Sequence, residues 1–326
     1  MKKFRLSVAL LVLALVLAIV PAVLAQDTLG ASQGDFDLWT SANAAFSTVS
    51  TVSYDFTAKV AATGVGSSNV TADLKGTGVI DATDKSKPVF QLDVTGSVVQ
   101  GTDTTNVNVG VRIVDGIIYY NDGTGWKGEK LDAIASSLSS GLGSTSGLPV
   151  NPTDLSSGNL SSLESNPEAA AAMQALSQLK PSDFLSLVRT DNGGIAQFTL
   201  KVDVAKLLAS PALTSLFSGM AGAMGGASSG GAAATAPAMT DAQMQQMQAM
   251  VGAMFSTATV TLDQYVDTAS KMVQRTVLTV ALPLDSMVGP GAAVNVSFDI
   301  NLSKYNEPVT VTAPDGATMM DATPAQ

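Results

Sequence analysis

The sequence offers few residues that could carry out catalysis. It contains no histidine and no cysteine, which excludes Ser-His-Asp and Cys-His arrangements and zinc sites of the usual His and Cys type. Ser177 and Lys180 have the S-x-x-K spacing that places an amine beside a hydroxyl on a helix, but no K-T-G motif accompanies them. No pair of acidic residues stands out from its surroundings. We therefore expect no catalytic residues, no metal site and no cofactor, and hence a protein that is not an enzyme.

Four methionines form the most distinctive local pattern. Met244, Met247, Met250 and Met254 recur at helical spacing within 240–255, which predicts a helix with one apolar face. Three interpretations fit this pattern. The side chains pack on a sheet as core, they contact an apolar cargo as an adaptable lid, or their thioethers bind Cu(I).

The first 25 residues have the layout of a secretory signal peptide. Lys2, Lys3 and Arg5 begin it, a largely apolar run follows over 6–24, and Ala25 supplies the small residue that cleavage requires. We expect export to the cell envelope, periplasm or extracellular medium, with cleavage after Ala25. Since the apolar run approaches the ~20 residues that span a bilayer, an uncleaved anchor is the alternative.

The net charge of the chain limits the classes of partner that it can bind. The net charge is −10, and removal of the three cationic signal residues without any acidic residue makes it −13. Such a charge disfavours nucleic acid and anionic membrane surfaces. We therefore expect no nucleic-acid partner and, at most, transient contact with a membrane. An apolar fraction of 46% is that of a globular protein.

Alternation of apolar and polar residues predicts much of the chain as β-strands. After a flexible leader at 26–34, we expect a helix from Asp35, whose side chain would cap the first turn, to about Thr48. Period-two alternation then predicts an antiparallel sheet with one dry and one wet face. The predicted strands lie at 54–60, 70–74, 90–94, 107–113, 117–120, 196–202, 257–265, 272–282 and 292–303.

Other segments lack this alternation. They are a helical insert at 131–190, a helix from Val204 to Phe217, a Gly/Ala-rich linker at 219–238, the Met-rich helix at 240–255, and a loose tail at 315–326. Only the amphipathic helices can cover the dry face of the sheet. The prediction is one α+β domain at 35–314, in which a strongly curved antiparallel β-sheet, or half-barrel, has helices covering its concave face.

Three stretches occur in a recognisable order along the chain. They are VSTVSYDF at 49–56, the hairpin RIVDGIIYY at 112–120 followed by Gly125-Trp126, and SKYNEPVTV at 303–311 followed by Ala313-Pro314. In this order, over about residues 36–314, the chain resembles the mycobacterial LppX/LprG-type lipoprotein family. That family shares the half-barrel fold of the bacterial lipoprotein carrier LolA.

The resemblance implies that a lipid or lipidated molecule binds between sheet and helices and is carried across the envelope. Two features depart from the family pattern. Members are usually lipoproteins, whereas this chain has no cysteine for lipid attachment, which leaves a freely diffusing carrier open. The Gly/Ala/Met-rich segment at 219–255 has no counterpart that we can match, so the type of cargo stays open.

The leading hypothesis is an exported carrier that shelters acyl chains in an apolar cleft. The alternative is an envelope protein-binding or sensory module on the same fold, with the polar sheet face or an edge strand as its interface. A roomy cleft would favour the carrier, and a cleft filled by the chain's own side chains would favour the module. The candidate cleft residues are the apolar residues of the predicted helices: Trp39, Phe46, Phe184, Leu187, Phe217, Met244, Met247, Met250 and Met254.

Overall fold

The structure is a computed structural model that describes residues 27–66, 68–84, 87–131, 180–210 and 255–320. Its helical elements in these ranges are α1 (Gln33–Ser47), a one-turn 3-10 helix (Pro181–Asp183), α2 (Val204–Ala209) and α3 (Asp285–Val288). Its strands are β1 (Thr51–Thr63), β2 (Val70–Asp81), β3 (Val89–Gln100), β4 (Asp103–Val114), β5 (Ile117–Asn121), β6 (Trp126–Lys130), β7 (Leu185–Asn192), β8 (Ile195–Asp203), β9 (Thr259–Asp267), β10 (Val273–Pro283), β11 (Ala293–Ser303) and β12 (Thr318–Met319).

All twelve strands belong to one sheet, in the order β12-β6-β5-β4-β3-β2-β1-β11-β10-β9-β8-β7. Every pairing is antiparallel except that of β12 with β6, which is parallel. The sheet is open, because β7 and β12 are its two edges and do not pair with each other. A large, open, mostly antiparallel sheet with few helices in the described ranges confirms the predicted half-barrel class.

The two halves of the sequence meet at the centre of the sheet. Strands β1 and β11 pair over eleven residues, from Ser53 with Ser303 to Thr63 with Ala293. This long contact joins distant segments of the chain within one sheet.

Alternation along the strands gives the sheet an apolar and a polar face. One cross-strand row of the apolar face runs over seven strands as Leu187, Leu200, Leu262, Leu278, Phe298, Ala58 and Leu74. The next residue along each strand points to the opposite face, where Lys59 forms an exposed ion pair with Asp73. One face is therefore available to bury apolar groups, and the other meets water.

Helix α1 begins two residues before the predicted start. Its N-cap is Ser32, whose Oγ accepts a hydrogen bond of 3.2 Å from the backbone N–H of Asp35. The Ser32 hydroxyl donates in turn to the Asp35 carboxylate at 2.6 Å. Asp35 lies within the first turn, so the prediction that it is the cap is wrong, although a carboxylate there still favours the helix N-terminus.

Part of the predicted flexible leader at 26–34 contacts the rest of the domain. Leu29 is buried, and its carbonyl accepts a 3.0 Å hydrogen bond from the backbone N–H of Leu187 in the edge strand β7. The Asp27 carboxylate accepts from the backbone N–H groups of Leu29 and Ser182. An apolar side chain at position 29 thus fixes the start of the domain against one edge of the sheet.

Two further predictions need correction. The predicted helical insert at 131–190 contains strand β7 from Leu185 onward, because Leu185 and Leu187 direct their side chains into the core while their neighbours Ser186 and Val188 are exposed. The predicted loose tail contains β12, and Met320 continues the contact by donating its backbone N–H to the Gly128 carbonyl at 2.8 Å. Residues 132–179 and 321–326 lie outside the described residues.

The predicted helix at 204 is shorter than expected. Asp203 caps α2 by accepting a 3.0 Å hydrogen bond from the backbone N–H of Lys206. The helix ends at Ala209, and Ser210 is extended with ψ 136°. Pro211 follows, and a residue before proline is disfavoured in the helical conformation.

Candidate functional site

The apolar face of the sheet divides into two regions that differ in burial. We call the first the covered region: its side chains are buried, and they are Leu185, Leu187, Phe198, Leu200, Val202, Val260, Val266, Val280 and Leu282. We call the second the open region: none of its side chains is buried, and they are Leu74, Ile80, Phe90, Leu92, Val94, Val98, Val107, Val109, Val111, Ile113 and Ile118. The registers place both sets on the same face.

Helix α1 accounts for part of this difference. Its buried residues Phe36, Trp39 and Ala42 belong to the same core cluster as the covered region. The rings of Phe36 and Trp39 lie 6.0 Å apart, and Phe184 joins this cluster from the end of the 3-10 helix. The covered region is therefore a close-packed core, in which apolar contacts replace water.

Three of the predicted cleft residues are core residues. Trp39, Phe184 and Leu187 lie together in the core cluster, each at most 4% exposed. At this point the space between α1 and the sheet is occupied by side chains of this cluster. That these three residues line a ligand cleft stays a prediction. Leu187 also belongs to strand β7 and not to a helix.

The remaining predicted residues fall elsewhere. Phe46 is exposed at the end of α1, and its ring meets that of Tyr305 edge-on at 6.5 Å, so it is not joined to Trp39 in the core cluster. Phe46 therefore lies apart from the cluster that holds Trp39, and its place in a lipid-binding cleft stays a prediction. Five predicted residues lie outside the described residues: Phe217, Met244, Met247, Met250 and Met254.

The boundary between the covered and the open region is formed by aromatic rings of one strand that lie over glycines of the next strand. Tyr54 and Phe56 of β1 pair directly with Gly78 and Gly76 of β2. A Cβ built on Gly78 would lie 2.2 Å from a ring carbon of Tyr54, so that ring occupies the space that a side chain at 78 would take. Burial of the ring raises the pKa of the Tyr54 hydroxyl. Glycine here lets aromatic rings lie flat across the neighbouring strand.

The same arrangement extends to β11. The rings of Phe56 and Phe298 lie 5.3 Å apart, within the range of favourable aromatic pairs. The row from Phe56 continues through Gly76 and Val94 to Val109. The open region is thus an apolar surface with the rings of β1 and β11 at one side and, across β2 to β5, side chains that are aliphatic except for Phe90.

The polar face carries Arg–Asp pairs stacked on aromatic rings. The Arg112 guanidinium donates to both Asp93 carboxylate oxygens at 2.9 Å and lies 5.1 Å from the centre of the Trp126 ring. Arg275 forms the equivalent pair with Asp299, at 2.8 and 2.6 Å, and lies over Tyr265. Bonds to Asp299 raise the pKa of Arg275. In each pair the charge of the arginine is balanced by a carboxylate of the neighbouring strand.

A depression of 610 Å³ lies where β10 and β11 separate. Their pairing ends at Arg275 with Asn301, whereas β11 stays paired with β1 as far as Ser303. Across the gap, the Tyr305 hydroxyl donates to the Val273 carbonyl. A second depression of 340 Å³ lies on the polar face around Lys59 and Asp73. Neither depression lies between α1 and the sheet.

The described ranges contain no group of three or more His, Cys, Asp or Glu residues placed to hold a metal ion. Ser177 of the S-x-x-K pattern is outside them, while Lys180 precedes the 3-10 helix. No described helix combines the length and apolar character needed to cross a membrane.

Sequence alternation identified many side chains of the open region, such as Leu74, Leu92 and Val109, as dry-face residues but did not select them as a site. The signal that could have done so is the pair of glycines opposite Tyr54 and Phe56. Glycine at 76 and 78 in a strand pattern marks close approach of another group. Here the approaching groups are aromatic rings of the same face.

Comparisons with known proteins complete this description. A scan of protein-family models finds no match for the sequence, and a search of curated proteins finds none either. Among solved structures, the chain is similar to LprF from Mycobacterium bovis, with 12% sequence identity and a TM-score of 0.35. The match covers 87% of this chain and 99% of LprF.

Proposed function

We propose that this protein is an exported carrier that binds the acyl part of a lipid or lipidated molecule on the open region of its sheet. One observation carries the proposal: a single continuous apolar face passes from full burial to partial exposure. Phe198 is 0% exposed in the covered region, whereas Val109 is 36% and Ile80 39% exposed in the open region. Clustered apolar surface of this kind marks binding sites on soluble proteins.

The physical drive for binding would be the removal of apolar surface from water. Each methylene of an acyl chain that becomes buried contributes ~0.8 kcal/mol. The side chains of the open region also gain, because the ligand covers them. No nucleophile or cofactor is needed, so the proposal is binding without catalysis.

The expected export and the negative charge of the mature chain fit a carrier that moves freely between membranes. A cleaved signal after Ala25 would release a chain of net charge −13, which anionic membrane surfaces repel. The carrier would therefore diffuse between membranes and touch them transiently. Cargo identity and the direction of transport do not enter the proposal.

A second candidate function is an envelope protein-binding or sensory module without lipid cargo. It is favoured by the self-filled packing of Trp39, Phe184 and Leu187, since a sheet that fills its own cleft needs no ligand there. Its interface would be the polar face or an edge strand. The two candidates differ in whether the open region takes up a lipid.

The first test is native mass spectrometry of residues 26–326 purified without detergent from the native host. A bound species that extracts into organic solvent would support the carrier. A bare mass, with no uptake of added lipids or of a fluorescent acyl probe, would rule out the carrier and direct the search to a protein partner.

Matched variants locate the site. V109D places a charge in the open region, and we expect it to weaken acyl-probe binding by about tenfold, the factor that ~1.4 kcal/mol is worth. V188D is the control, since Val188 is 51% exposed and lies on the opposite face of the sheet. Equal binding by wild type, V109D and V188D would place any lipid site away from the open region.

A further inference from the structure

Strand β12 holds one edge of the sheet by a small contact. Thr318 and Met319 pair in parallel with Lys127 and Gly128 of β6, and the Met320 backbone N–H donates to the Gly128 carbonyl at 2.8 Å. Within the part of the chain that the structure describes, β12 is the strand on the outer side of β6. An edge strand without such a cover presents unpaired N–H and C=O groups to other chains.

The side chains of two consecutive methionines pack against this short pairing of β12 with β6. The Met319 sulfur occupies the space beside Gly128, 2.8 Å from where a Cβ at that position would lie, next to the ring of Tyr119. The Tyr120 hydroxyl donates to the Met320 sulfur at 3.3 Å. Tyr119 and Tyr120 are neighbours in β5 and point to opposite faces of the sheet. The two thioethers therefore contact this edge of the sheet on both faces. Contacts between a thioether and an aromatic ring are favourable.

Both thioethers are within reach of dissolved oxidants. Met319 is 45% and Met320 40% exposed. The expected export would place them in an oxidising compartment, where no cysteine of this chain competes for the oxidant. Sulfoxide formation turns a flexible apolar side chain into a polar one and disrupts contacts of this type.

We propose that β12 is an oxidation-released strap: conversion of Met319 and Met320 to sulfoxides by a peroxide detaches β12 from β6 and uncovers that edge of the sheet. In each event the thioether sulfur forms a bond to one peroxide oxygen and the O–O bond breaks. Sulfur loses two electrons, hydrogen peroxide is reduced, and water leaves with both protons. Methionine sulfoxide reductases reverse the change, so the strap can close again.

Oxidation releases β12 because of the immediate surroundings of the methionine sulfur atoms. At Met319 the sulfur packs on one side against Gly128 and carbon atoms of the Tyr119 ring, which offer no hydrogen-bond donor to a sulfoxide oxygen. Its sulfoxide is better solvated in water than in this contact. Because β12 has only two paired residues, few contacts hold it on β6 once the methionine side chains no longer pack there.

The test is hydrogen exchange measured by mass spectrometry on residues 26–326, with and without hydrogen peroxide. Peptide masses report oxidation at 319 and 320, and the exchange of the Met320 amide and of residues 126–130 reports release. We expect exchange there to rise by about tenfold in oxidised wild type, as for a local opening that loses these contacts. Treatment with both methionine sulfoxide reductases should restore the original rate.

Two variants make the result decisive. M319L/M320L keeps the apolar packing and cannot be oxidised at these positions, so peroxide should leave its exchange at 126–130 unchanged. M319Q introduces a polar side chain of similar length and should raise exchange without peroxide. Unchanged exchange in fully oxidised wild type, or an equal rise in M319L/M320L, would overturn the proposal, because release would then be absent or caused by another methionine.

Discussion

The indole Nε1–H of Trp39 in α1 donates a 2.6 Å hydrogen bond to the side-chain oxygen of Gln264 in β9. Asn43, one turn further along α1, exchanges two longer hydrogen bonds with the same glutamine amide, at 3.3 and 3.4 Å. Gln264 lies on the apolar face, paired with Phe198 on one side and Thr276 on the other. A polar side chain inside an apolar row thus fixes where the helix sits on the sheet.

The first prediction concerns this hydrogen bond. W39F and Q264L should each lower the free energy of unfolding by about 1–3 kcal/mol, because each leaves the partner's polar group without its hydrogen bond in a largely buried setting. The double variant W39F/Q264L should lose less than the sum of the two, with a coupling of roughly 0.5–3 kcal/mol. Denaturant titration of wild type, the two single variants and the double variant measures this coupling as a double-mutant cycle. Additive losses would show that the bond does not contribute.

The second prediction concerns Gly76. A Cβ there would lie 2.5 Å from a ring carbon of Phe56 and 2.6 Å from the Asp93 carbonyl oxygen. G76A should therefore destabilise the protein by about 1–3 kcal/mol, the usual cost of overpacking. Removing the ring relieves only one of the two contacts, so F56A should not restore stability to G76A in full.

Gly34 in α1 supplies the matched control for Gly76. A Cβ at Gly34 would meet nothing within 4 Å. G34A should leave stability unchanged or raise it by up to about 1 kcal/mol, because alanine favours a helix over glycine. If thermal unfolding placed G76A and G34A at the same midpoint, the ring of Phe56 would not be confined as described.

Strand alternation predicted the sheet well because it reports which face a side chain occupies. Residues such as Val294, Val296 and Phe298 alternate with polar neighbours over the whole of β11, and the predicted bounds 292–303 differ from the observed ones by one residue. By contrast, β12 has two residues and pairs with β6 nearly 200 positions earlier. No local pattern records so short and distant a contact.

The candidate site could be predicted only in part, for a related reason. Periodicity selected Trp39, Phe184 and Leu187 as candidate residues of a ligand cleft, and all three are buried in the structure. It does not tell whether the cover is a ligand or the chain itself, and here the chain fills the space. The open region was equally visible as a dry face, but its partial exposure depends on how far α1 reaches across the sheet.

The third prediction is a pH dependence that arises from Tyr305. Burial raises the pKa of its hydroxyl to about 12, while a tyrosine in an unfolded chain titrates near 10. The protonated hydroxyl, which donates to the Val273 carbonyl, is therefore favoured by folding. Its contribution is fully present below pH ~10 and is lost as the pH rises from about 10 towards 12.

Y305F isolates this effect, because it keeps the ring contact with Phe46 and removes only the hydroxyl. We expect Y305F to be less stable than wild type at neutral pH, by about 0.5–1.5 kcal/mol for one hydrogen bond. The difference should shrink above pH ~10, as measured by urea unfolding at a series of pH values. A constant difference across that range would mean that the hydroxyl ionises equally in folded and unfolded chains.

The last prediction tests whether the stacked Arg–Asp pairs of the polar face stabilise the sheet through geometry or through charge. Besides its two bonds to Asp93, Arg112 donates to the carbonyls of Leu92 and Val111, at 3.2 and 3.0 Å. Its side chain is only 15% exposed. A lysine ammonium is a compact charge and cannot reproduce the planar fork together with the stacking on Trp126.

We therefore expect R112K to lose most of the stability that R112A loses, about 1–3 kcal/mol in each, since both leave the Asp93 carboxylate and the two carbonyls short of donors. The exposed pair of Lys59 and Asp73, at 3.6 Å, is the matched control, and K59A should change stability by less than about 0.5 kcal/mol. Chemical denaturation of the three variants decides between the alternatives. Wild-type stability in R112K would mean that positive charge alone is enough at this position, and that the stacking on Trp126 contributes nothing to the fold.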